Sequence, residues 1–163
     1  MSGMIHHHAQ AVVMARWAPT HGASPPVLRL CERVVNAQMD EIALAQRWLS
    51  DRGQPVPEPN AAGMKMTMGG EEHVMLMPGM LSEAQMRELD AARGHDFDRL
   101  FLTFMIQHHR GAVSMVNDLF SAHGAGQDEM IFKFASDVNV DQTTEINRML
   151  EMLLSLGAKP SDQ

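Results

Sequence analysis

The chain of 163 residues carries 20 acidic against 13 basic side chains, a formal charge of −7 with no basic cluster. That balance argues against nucleic acid and anionic membrane surfaces as partners and suits cations, metal ions included. One cysteine, Cys31, excludes an internal disulfide framework and any multi-cysteine zinc or iron–sulfur site, while 16 Met, 9 His and no Tyr make the composition unusual.

In chain order, a first helix is predicted from near the start to about Thr20, ended by Pro19 and a His21-Gly22 turn. A second begins at Pro25-Pro26, where proline suits a first helical turn, and runs through Val34, Met39, Ile42, Ala45 and Leu49 to Gly53. Cys31 lies in its apolar part and reads as a small buried thiol. A linker follows over residues 54–94, extended at first by the alternate prolines Pro55, Pro57 and Pro59 and broken at Gly69-Gly70 and Pro78-Gly79. Ser82-Glu83-Ala84-Gln85 is a capping-box pattern that starts a short helix stopping at Gly94. A long helix is expected from Asp96 to His123-Gly124, and a last one from about Gln127 to Gly157, with Pro160 beyond it.

The chain repeats itself. Met4-Ile5-His6-His7-His8 and Met14 correspond, at an offset of 101, to Met105-Ile106-Gln107-His108-His109 and Met115. At an offset of 104, Gln38, Glu41-Ile42 and Gly53 correspond to Gln142, Glu145-Ile146 and Gly157. The unit is helix, turn, helix, used twice over residues 1–53 and 95–157, and two such hairpins make a four-helix bundle in a single domain over 1–163. The linker is long enough to cross one bundle end and set the hairpins about a pseudo-twofold axis.

On a helix, Met105, His108, His109 and Met115 share one broad face, as do Met4, His7, His8 and Met14. Adjacent histidines point about 100° apart, so one helix cannot easily close its pair on a single ion. A pseudo-twofold bundle instead brings together one His from each repeat, His8 with His109 or His7 with His108, supplemented by Met. Imidazole beside thioether favours Cu(I) or Ag(I), whereas zinc without Cys wants three or four His or carboxylate ligands. Glu41 and Glu145 stand where they could accept the second ring N–H of a ligand histidine and fix its tautomer, and Asp98 could serve the second repeat alone. The competing reading makes these histidines buried core groups bonded to Glu or Gln, with Met as filler.

The linker makes a separate case. Met64-Lys65-Met66-Thr67-Met68 sets three thioethers on one side of an extended strand, and His73, Met75, Met77 and Met80 follow closely. A solvated Gly/Pro linker does not need that much Met for packing, so Cu(I) capture competes with a role as hydrophobic cap over the bundle end. Enzymatic motifs are missing: no Glu has His three residues later, His-Glu-x-x-His is absent, and no Gly-rich phosphate loop precedes a helix.

Gly79-Met80-Leu81, Phe97-Asp98-Arg99-Leu100-Phe101-Leu102 and the run from Met105 to Met115 resemble the bacterial family named domain of unknown function 305 over nearly the whole chain. The resemblance implies a ferritin-like four-helix bundle, an exported or lipid-anchored protein, and a role in binding copper or silver. Carried over by position, it singles out His108, His109, Met105 and Met115, and in the first repeat His7, His8, Met4 and Met14. The departure is the missing lead-in to the first motif, counterpart of Asp98 included.

The expectation is therefore an all-α bundle that binds Cu(I) or Ag(I) in the periplasm or outside the cell, as a buffer or chaperone without turnover. No stretch is long and apolar enough to span a membrane, and an export signal is expected upstream of the chain as it stands. Other copper-handling proteins or a second copy are the expected protein partners. The alternative is a metal-free helical interaction domain.

Overall fold

The computed structural model describes residues 1–157 and, within them, every side chain except that of Met68. Pro160 and the Met68 thioether thus lie outside the described residues. Seven elements follow one another: α1 (Ser2–Trp17), α2 (Pro25–Asp51), β1 (Met64–Met68), β2 (Glu71–Met75), α3 (Glu83–Ala91), α4 (Gly94–Ser121) and α5 (Glu129–Gly157). α1 packs along α2 and α4 along α5, and the two hairpins meet where α1 crosses α4. This is the all-α, ferritin-like bundle expected, with one addition: the extended linker doubles back as a β-hairpin.

Burial explains the helices. α2 buries Val27, Leu30, Val34, Gln38, Ile42, Ala45 and Leu49, one stripe at three- and four-residue steps. α1 has no solvent face over its middle, since Met4 through Val12 are all buried; such a helix belongs at the centre of the packing. Ser82 opens α3 as its sequence implies, its Oγ accepting from the Gln85 amide at 3.3 Å and its own amide donating to Gln85 Oε1 at 3.0 Å.

The apolar core is divided. One cluster holds Ala11, Met14, Leu30, Val34, Phe97, Phe101, Met105 and Met149, and the other holds Met4, Ile5, Ile42, Ala45, Ala112, Val116, Phe134 and Val138. On each of the four bundle helices a polar group falls between the two: His6 to His8 on α1, Gln38 on α2, His108 and His109 on α4, Gln142 on α5, all buried. A polar layer therefore crosses the middle of the bundle.

The β-hairpin turns at Gly69 and Gly70, both at positive φ (62° and 88°), the conformation a tight two-residue hairpin turn demands. From β2 the chain continues as a strap, residues 76–81, laid over α1 and α4. Its Pro78-Gly79 turn comes so close to α4 that a Cβ on Gly111 would stand 1.9 Å from the Pro78 carbonyl oxygen. Gln10 holds the strap from α1, accepting from Leu81 N at 2.6 Å and donating to Leu81 O at 3.0 Å.

Candidate metal-binding sites

The polar layer presents two kinds of histidine. His7 and His108 face one another across the α1–α4 crossing, ring centroids 3.8 Å apart and planes tilted by 38°. His108 Nε2–H donates to the His7 carbonyl at 2.9 Å, and His7 Nε2–H donates to the Pro78 carbonyl of the strap at 3.1 Å. Since each Nε2 carries the proton for its carbonyl partner, each Nδ1 is left as a bare lone pair. Both Nδ1 atoms are buried with no hydrogen-bond partner.

His8 and His109 turn the other way, each toward its own hairpin's glutamate. His109 Nε2–H donates to Glu145 Oε2 at 2.6 Å, while His8 Nε2 lies 2.7 Å from Glu41 Oε2 but off the line a hydrogen bond requires. Their Nδ1 atoms are likewise buried and unpartnered. Asp141 on α5 feels both glutamates: burial, then the charges of Glu41, Glu145 and Asp137, raise its carboxyl above the ordinary value.

Burial also sets the charge of the facing pair. It lowers His7 to about 3, with His8 and His109 adding repulsion, and it holds His108 well below the usual imidazole range. Both rings are neutral near pH 7, the state in which imidazole can ligate a metal. Orphaned, deprotonated nitrogens in a buried layer are the chemistry a bound metal ion would satisfy.

The hairpin forms the second candidate. Its register pairs Met64 with Met75 and Met66 with His73 across the strands. Residues directly opposite project on the same face, with Cβ atoms about 4.5–5.5 Å apart. Three thioethers and one imidazole therefore share a face, and Met66, Met75 and His73 are exposed. Met68 pairs with Glu71 by backbone.

Other residues singled out by sequence have different employment. Both oxygens of Asp98 accept from the Ser24 amide at the start of α2, at 3.2 Å, so this carboxylate is spent on a helix end rather than on a histidine. Met14 and Met105 are fully buried in the first apolar cluster. Met4 and Met115 belong to the second cluster, and Met77 lies on the strap. Among the described residues no three His, Cys, Asp or Glu side chains are grouped as a metal cage.

Sequence reasoning missed the strap carbonyl of Pro78 and the anchoring role of Gln10. It used Gln38 and Gln142 only to set the repeat register, although both are buried with amide atoms unpartnered. Their equal spacing before Glu41 and Glu145 was the available signal.

The model of the domain of unknown function DUF305 matches residues 1–153. The chain belongs to the DUF305 family. A DUF305 protein from Streptomyces coelicolor described as secreted superposes with a TM-score of 0.78 at 26% identity, over 99% of this chain and 94% of that one. A DUF305 fragment from Deinococcus radiodurans gives 0.74 at 28% identity, covering 93% and 91%. CopM in a Cu(II)-bound form gives 0.72 at 25% identity, covering 94% and 93%, and CopM is also solved with Cu(I) and with Ag bound. No curated protein matches the chain. Among the described residues no helix is long and apolar enough to cross a membrane.

Proposed function

We propose that the protein binds Cu(I), and Ag(I) in its place, outside the cytoplasm, as a buffer or chaperone that performs no turnover. The observation that carries this reading is the hairpin register. Cross-strand pairs Met64/Met75 and Met66/His73 gather soft donors on a face where packing does not require them, and thioether with imidazole is a donor set that selects Cu(I). A zinc centre needs three or four His or carboxylate ligands, and the described residues offer no such grouping. The copper- and silver-bound forms of CopM, which has the same fold, support it.

The His7/His108 pair is the internal store in this reading. Its rings stand too close for an ion between their faces at 3.8 Å, so metal would be taken at the edges that carry the free Nδ1 atoms, with Met64, Met66, His73 and Met75 capturing it first outside. His8 and His109 flank the pair, oriented by Glu41 and Glu145.

The test is competitive loading. Protein dialysed anaerobically against equimolar Cu(I) and Zn(II) and then desalted should retain copper and shed zinc; equal retention of both metals, or of neither, contradicts the proposal.

One observation favours the second reading, a metal-free interaction domain: His8 and His109 each have a carboxylate partner, as core histidines would. That reading gains if the desalted protein holds no copper.

A further inference from the structure

Methionines that correspond in the two motifs are not equivalent in the fold. Met14 and Met105 are sealed among Leu30, Phe97 and Phe101, as ordinary core is. Met4 and Met115 instead border a cavity of about 130 Å³ beside the first turns of α1. A third thioether stands beside Gly3 of that lining, on the strap. Met77 Sδ stands 2.9 Å from where a Cβ on Gly3 would be, and Met115 Cε stands 3.6 Å from that same point.

We infer that Met4, Met77 and Met115 form an intermediate site for a soft monovalent ion, Cu(I) or Ag(I), between the hairpin face and the buried histidines. The inference rests on the soft-metal reading above and adds a site to it. Apart from Met1, the remaining lining, including Val116, Leu119 and Phe134, is apolar and supplies no carboxylate and no imidazole, so a hard cation finds no side-chain oxygen there to replace its water. Gly3 is what lets the Met77 sulfur approach the α1 backbone.

Chain connectivity places the site between the other two. Met77 follows Met75 of the hairpin face by two residues, and Met4 precedes His7 by one helical turn on α1. An ion passed along thioethers would never need to regain its water shell before meeting the imidazoles.

Protein labelled with carbon-13 at the methionine methyls and titrated with Ag(I) tests this directly. The methyls of Met4, Met77 and Met115 should shift together while those of Met14 and Met105 stay fixed. Gly3→Ala, which drives a Cβ against the Met77 sulfur while suiting a helix, should weaken that response several-fold with helical circular dichroism unchanged. Three unmoved methyls under excess Ag(I), or Met14 and Met105 shifting equally as in a general repacking, would overturn the inference. A response here with Met64, Met66 and Met75 silent would sink the hairpin assignment and leave this site standing, so the two failures are read separately.

Discussion

His7 and His108, one from each hairpin and at corresponding places in the two copies of one motif, face one another 3.8 Å apart with their protonated nitrogens tied to backbone carbonyls. This contact sits where α1 crosses α4, midway between two apolar clusters. Its cost is a set of buried nitrogens without partners, a debt that packing alone does not explain.

The pair makes stability depend on acid. Burial lowers His7 from 6.5 to about 3, and His108 moves the same way. Between those values the unfolded chain binds protons that the folded chain refuses, so the stabilisation is complete above pH 6.5 and is lost as pH falls toward 3. Urea midpoints of metal-free protein should therefore fall between about pH 7.5 and about pH 4.5. The fall should be smaller in His7→Gln/His108→Gln, and an equal fall in that variant would refute the assignment.

The strap seals this layer through a contact that admits only glycine. A methyl on Gly111 would meet the Pro78 oxygen at 1.9 Å, backbone against helix. Gly111→Ala should cost about 1–3 kcal/mol or more, because neither side can yield without moving main chain. Chemical denaturation measures it, and a loss near zero would mean the strap is not held against α4.

Cys31 is a core thiol and should behave as one. Burial, followed by the charge of Asp98, pushes it up to about 12, and only the thiolate reacts readily with disulfide reagents. Folded protein at about pH 8 should leave a thiol-reactive chromogenic disulfide uncleaved, and addition of urea should release one equivalent. Rapid reaction of the native protein would show Cys31 to be reachable and contradict its place in the core.

Much of the fold was legible in the sequence because its signals are local. The stripe of Val27, Leu30, Val34 and Ile42, the Ser82–Gln85 capping box and the Pro25-Pro26 helix start act over one or two turns. The β-hairpin was half legible: Met64 to Met68 read as extended, whereas its pairing with Glu71 to Met75 needed Gly69-Gly70 to be recognised as a turn rather than a break. The choice between His7/His108 and His8/His109 stayed open, because it depends on how α1 and α4 are rotated at their crossing. Asp98 went to Ser24 for the same reason: a partner 74 residues away leaves no periodic trace.

Central to the account is that exposed thioethers on the hairpin capture Cu(I). An anaerobic titration against a chromophoric Cu(I) chelator, on wild type and on Met64→Leu/Met66→Leu/Met75→Leu, tests it most directly. Leucine keeps the volume and the strand while removing the sulfur. The account predicts that wild-type protein takes copper from the chelator and that the triple variant does so much less well with its fold intact. A wild-type protein that leaves the chelator fully loaded, or a variant that competes equally, would contradict it.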